Sequence, residues 1–161
     1  MPMYFRAAFA AFLFLISYPA MAQVELVFDP TNRSGPIVVK AMQASFERDT
    51  GITRFQGNVV VTQGGMKLTC DDAVVKTAFP EFSEIESIAV EGNVVMQNNR
   101  GSASAAYGTF FVQQGELRLR HNVLIRTDTY TLGGEEYVYN LDTGVSSISG
   151  NAAADLKISE Q

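Results

Sequence analysis

The chain has 161 residues, 47% of them hydrophobic, and a formal net charge of −5. That length and apolar content suit one compact domain with a core of its own and give no support to two. An acidic chain with no basic stripe argues against nucleic acid as a partner, because nothing is in place to neutralise phosphates.

Residues 1–22 stand apart from the rest. Arg6 is followed by the uncharged apolar stretch "AAFAAFLFLISYPAMAQ", which contains Ala20-Met21-Ala22. This is a basic n-region, an h-region and a small-x-small cleavage site. The run holds about 14 to 16 apolar residues, short of the roughly 20 that cross a bilayer. A signal peptide over residues 1–22 is therefore predicted, cleaved after Ala22, with an uncleaved anchor as the alternative. The exported product then starts at Gln23 as a single domain, residues 23–161. Loss of Arg6 leaves 11 basic and 17 acidic side chains, a net charge of −6. "NRS" at Asn32 matches a glycosylation sequon and reads as an exposed polar loop.

From Ile37 onward Val, Ile, Thr, Phe and Tyr dominate, and Gly and Asn punctuate them. "VVKAMQASF" is the one window that fits helical spacing, and it also alternates as a strand, so the chain reads as all-β. One phrase, "RFQGNVVVTQ" from Arg54, returns as "AVEGNVVMQN" from Ala89 and "RLRHNVLIRT" from Arg118. Aligned on Gly57, Gly92 and His121, the copies are 35 and 29 residues apart, too irregular for a strict solenoid. Side chains two apart share a face of a strand. On that basis Thr53, Phe55, Val59 and Val61 line up with Ile88, Val90, Val94 and Met96, and with Leu117, Leu119, Val123 and Ile125. Only Thr53 among these is polar. The opposite face is polar apart from Ala89 before the aligned position and Val60, Val95 and Leu124 after it, and the last three suggest that its middle is partly covered or paired. Each phrase reads as a strand, a Gly-Asn kink or tight turn, and a second strand; His121 implies a milder bend. "GGMKLTCDDAVV", "RGSASAAYGTFFV" and "TYTLGGEEYVYNL" supply further strands, and "LDTGVSSISG" a hairpin turn. An antiparallel sandwich, roll or barrel follows.

Chemistry-bearing residues are sparse. His121 is the only histidine, on a presumed turn beside Arg118, Arg120 and Arg126. Metal-ligand spacing, a nucleophile elbow and a phosphate loop are all missing from the sequence. The acidic pairs Asp71-Asp72 and Glu135-Glu136 are the strongest catalytic candidates, but adjacent strand residues point to opposite faces, so neither pair alone makes a two-carboxylate site. Cys70 reads as a small buried residue. No catalytic residue, metal or cofactor is predicted.

"GPIVVKAMQASFERDTGITRFQGNVVVTQGGMKLTCDDAVV", Gly35 to Val75, resembles the opening of the OstA-like (LptA) family of periplasmic lipopolysaccharide-transport bridge proteins. The strand "QASFE", the phrase "FQGNVVVTQG" and the following "MKLTCDDAVV" match in order and spacing, and "YVYNLDTG" at Tyr137 to Gly144 fits the family's repeating units. His121 departs from the family's usual glycine. The resemblance implies an open antiparallel β-jelly roll of two leaning sheets. It also implies a periplasmic carrier that receives lipopolysaccharide from an inner-membrane component and passes it towards the outer membrane. On that reading lipid A acyl chains contact the inward set Ile37, Val39, Phe46, Phe55, Val59, Val61, Met66, Leu68, Ile88, Val90, Val94, Met96, Leu117, Leu119, Val123 and Ile125.

Two edges look poorly protected: Ile37, Val38, Val39 and Lys40 at one end, with Pro only at its start, Pro36, and a single charge at Lys40, and Val145, Ser146, Ser147, Ile148 and Ser149 at the other, with neither. They are expected to take the inner- and outer-membrane components, or a head-to-tail copy of the chain, by strand addition. The bland reading covers them with the chain's own Val24–Phe28 and Asp155–Ile158. The other functional readings are a membrane-anchored homologous transport component and a secreted carbohydrate-active β-solenoid enzyme.

Overall fold

The computed structural model describes residues 36–81 and 83–157. The leader, the Asn32 sequon and the Val24–Phe28 edge cover lie outside these residues. Among the described residues every regular element is a strand: β1 Val38–Lys40, β2 Gln43–Glu47, β3 Ile52–Gln63, β4 Met66–Thr77, β5 Ile85–Asn98, β6 Gly101–Phe111, β7 Glu116–Thr127, β8 Tyr130–Asn140, β9 Ser146–Ser149 and β10 Ala153–Leu156. They form one antiparallel sheet whose neighbours follow chain order from β3 to β8. β1 and β2 lie end to end along β3, and β9 and β10 end to end along β8.

The repeated phrase is a bulge inside a strand. The expected alternative of a tight turn between two strands is ruled out, because β3, β5 and β7 each run straight through it. Gly57 and Asn58 oppose Asp71 alone, Gly92 and Asn93 oppose Ala106, and His121 and Asn122 oppose Glu135. Both residues of each pair have positive φ: 76° and 49°, 75° and 47°, 62° and 54°. An extra residue in that conformation bends its strand and tightens the local twist. A fourth pair, Gly150 at 76° and Asn151 at 49°, separates β9 from β10 opposite Glu135. It lies 29 residues beyond His121, the preceding interval repeated.

Because the bulges fall on alternate strands in register, they make one crease across the sheet and fold it onto itself. Half-sheets on either side of the crease turn the same apolar face inward, and side chains from both interlock. Leu117, Leu119, Tyr137 and Tyr139 on one side pack with Met96, Ala103, Ile125 and Tyr130 on the other. A second cluster joins Val59, Cys70 and Val94 to Ala73 and Val90. The core is wholly apolar in class, with no buried polar or charged residue among those described. Val60, Val95 and Leu124 occupy one cross-strand row of the outer face with Thr69 and Ser104, half-buried by lateral packing.

Candidate functional site

The two half-sheets are closely packed at the crease. Val59, Val94, Val123 and Ile125, the inward residues nearest the bulges on the downstream side, are at most 2% exposed. Away from the crease the half-sheets diverge around a cavity of about 510 Å³, within the range of about 300 to 1,000 Å³ typical of small-molecule sites. Val61, Met66, Leu68 and Met96 form one wall; Ile88, Val90, Leu117 and Leu119 form the other; Ile37 stands at the edge. Gly108 lies in the floor, where a Cβ would come within 2.9 Å of Val90 Cγ2 and 3.2 Å of Leu119 Cδ2. Gln63, Asn98, Asn99 and Arg100 make its rim polar at one end.

Nine of the sixteen inward residues thus line the cavity. Val59, Val94, Val123 and Ile125 are core, and Val39 and Phe55 pack on the smaller cluster. Phe46 departs from expectation. Alternation turns it inward, but it sits on the edge strand β2 and is 56% exposed, outside the cavity lining. Sequence reading passed over Phe110, Tyr139 and Leu141, which also line the cavity, and the core tyrosines Tyr130 and Tyr137. The alternation Tyr137, Tyr139, Leu141 carried the signal.

The acidic pairs lie away from this lining. Asp71 accepts a 2.9 Å hydrogen bond from Asn93 Nδ2 at the crease, and Glu136 accepts one of 2.9 Å from Arg120 Nε. Glu135 Oε2 is 3.8 Å from His121 Nδ1, whose ring meets Tyr107 edge-on at 5.6 Å. No group of His, Cys, Asp or Glu among the described residues is arranged to hold a metal ion. Cys70 is buried; desolvation first, then Asp71 and Asp72, push its thiol up to about 11. It is a protonated core residue at neutral pH and a poor nucleophile.

Both edges are long and interrupted. Ile37, Val38, Met42 and Phe46 stand exposed along the first, and Val145 and Leu156 along the second. Ala153–Leu156 pairs with Tyr130–Gly133 of β8 and extends the line of β9. It does not cover Val145–Ser149, contrary to the bland reading of that end.

Residues 38–145 match the family described as LptA/(LptD N-terminal domain) LPS transport protein. The lipopolysaccharide export system protein LptH of Pseudomonas aeruginosa is 29% identical over 118 residues, which are 69% of this chain and 66% of that protein. The chain therefore spans just under two-thirds of that relative's length. The crystal structure of LptH, described as the LptA-homologous periplasmic component of the lipopolysaccharide transport device of Pseudomonas aeruginosa, superposes with a TM-score of 0.67 at 23% identity. The match covers 81% of this chain and 100% of that one.

Proposed function

The chain belongs to the LptA/(LptD N-terminal domain) family of lipopolysaccharide transport proteins, and on that premise we propose that it is a periplasmic bridge whose groove carries the acyl chains of lipid A. The observation that carries this reading is the 510 Å³ cavity between the half-sheets, lined mostly by apolar side chains. Each buried CH₂ contributes about 0.8 kcal/mol, so full burial of one chain of about 12 carbons contributes roughly 10 kcal/mol. An enclosed cavity for several chains would hold its cargo too tightly for a relay. A groove with an open side buries each chain partly and leaves the sugars at its mouth, so cargo can move between sites of similar affinity. The direction of transport then comes from energy supplied elsewhere in the pathway. Catalysis has no part in this reading, and neither acidic pair reaches the groove.

A photo-crosslinking residue at Val61 or Met96 is expected to label lipopolysaccharide. The same probe at outward Thr62 or Gln97 should not, and at Val94, buried in the sealed waist, it should label weakly. Equal labelling at Met96 and Gln97 would remove the groove assignment.

The periplasmic location rests on the leader ending at Ala22. N-terminal sequencing of the exported protein is expected to begin at Gln23. Recovery from washed inner membranes with Met1 or Met3 intact would favour the anchored component instead. In the bridge, the Ile37–Lys40 edge receives the inner-membrane component, and the Val145–Ser149 edge the outer-membrane component or a second copy, by strand addition.

A further inference from the structure

The groove has an inner end as well as walls. On the side of the crease that carries Ile88 and Leu117, the cross-strand row next to the crease runs Ala73, Val90, Gly108, Leu119 and Tyr137. Val90, Gly108 and Leu119 of this row line the cavity. On the facing half-sheet the corresponding row includes Val59, Cys70, Val94 and Val123, which are at most 3% exposed and lie outside the lining. Space in the groove therefore stops at Val90, Gly108 and Leu119. From Val112 at its outer end to Gly108 is four residues of extended chain, about 13 Å.

Gly108 is the odd member of that row. It lies mid-strand with a negative φ, so no backbone demand calls for glycine, and a glycine inside a strand weakens it. Its lack of a side chain serves its neighbours instead. A Cβ at position 108 would stand 2.9 Å from Val90 Cγ2, 3.2 Å from Leu119 Cδ2 and 3.8 Å from Val94 Cγ1. The Val90 and Leu119 methyls thus lean in from both flanking strands and occupy the place that a side chain would fill. We propose that Val90 and Leu119, meeting over Gly108, form a stop that sets the length of acyl chain the groove takes. This rests on the groove being a lipid site, and it assigns the residues that choose among chains of one chemistry. Short of the stop, each added methylene exchanges water for apolar wall. Beyond it, a further methylene finds no interior left and stays at the mouth. Close packing behind the stop resists its displacement, so cargo is graded by size without any polar contact.

The test is a series of alkyl maltosides from octyl to tetradecyl, each below its micellar concentration, titrated calorimetrically into the full chain. Parent affinity is expected to rise about fourfold per methylene and then to level off within the series. Two variants should move that end point in opposite directions. In Gly108→Ala the new methyl pushes Val90 and Leu119 into the groove, because core closes the Val94 side, so levelling should come at a shorter chain. Leu119→Val withdraws the δ-methyl from over Gly108, and levelling should come at a longer chain. The double variant Gly108→Ala/Leu119→Val should return close to the parent end point, since the two changes share one space. A general loss of stability would lower every affinity alike and leave the end point in place, and circular dichroism checks that each variant is folded. A common end point in the parent and both single variants overturns the stop, and so does a parent affinity that still rises at tetradecyl. Failure of every chain to bind the parent counts against the lipid groove itself, and the stop falls with it.

Discussion

Replacing Gly92 with valine is expected to lower the unfolding free energy by about 3 kcal/mol, the larger of the two stability effects at the crease. Gly92 has φ 75°, where a side chain with a Cβ costs roughly 1–2 kcal/mol and a β-branched one more. The new Cβ would also run into the carboxylate of Asp71, which the bulge places directly against it. Moving that carboxylate away breaks its 2.9 Å hydrogen bond from Asn93, for about 1 kcal/mol further. In a domain of this size the total corresponds to a fall in melting temperature of roughly 10 °C. His121→Gly is the matched control. His121 adopts φ 62° at the equivalent site, with its side chain lying between Tyr107 and Glu135. Substitution there relieves the strain but adds entropy to the unfolded chain, so stability should move by less than about 1 kcal/mol. Thermal unfolding of both variants checks the pair; equal losses would mean that the crease imposes no special demand at Gly92.

The crease also marks where sequence stops speaking plainly. That Val59, Val90, Val94, Met96, Leu119, Val123 and Ile125 face one interior follows from two-residue periodicity and survives in their burial. Whether Gly-Asn turns the chain back or merely bends it does not follow, since both uses need positive φ and only cross-strand register separates them. The fourth pair, Gly150-Asn151, was present in the sequence. Its flanks, "SSIS" and "AAADL", lie on edge segments that are mostly exposed, so they lack the bulky alternation that made the other three copies recognisable. Phe46 illustrates the same limit. Period two fixes which way a side chain points, but burial depends on how much of the sheet lies over it, and on the edge strand β2 Phe46 stays 56% exposed. The groove was legible as an apolar face. Its division into a sealed waist and an open mouth depends on how far the half-sheets diverge, which is a property of the whole sheet.

At the first edge, Val39→Pro is expected to weaken binding of the inner-membrane partner proposed to dock there by about tenfold or more while the domain stays folded. Ladder register selects this residue over its neighbour Val38, whose place on the edge alone would suggest it. Gln63 and Met66 close the two-residue Gly64-Gly65 turn and so form a hydrogen-bonded pair. Bonding alternates along β3 from there, so Gln63, Val61 and Val59 face β4 while Thr62 and Val60 face β1. Val38 and Lys40, their partners, spend their N–H groups on the ladder. The Met42 N–H, bonded to Gly57 O at 2.9 Å, keeps the same phase. Val39 therefore presents its N–H outward, where an added strand would accept it and where proline is tolerated in the isolated domain. One lost hydrogen bond is worth about 0.5–1.5 kcal/mol, and the proline ring also obstructs the incoming backbone. Val39 packs on the cluster around Val59, so Val39→Ala measures the packing loss alone. At the other edge the Val145 carbonyl is bonded to Asn140 N–H at 2.9 Å, which leaves Ser146 and Ile148 facing outward. Ile148→Pro should accordingly spare the inner-membrane partner. If Val39→Pro binds that partner as tightly as Val39→Ala does, with circular dichroism unchanged, docking does not use this edge, and the proposed bridge needs another junction.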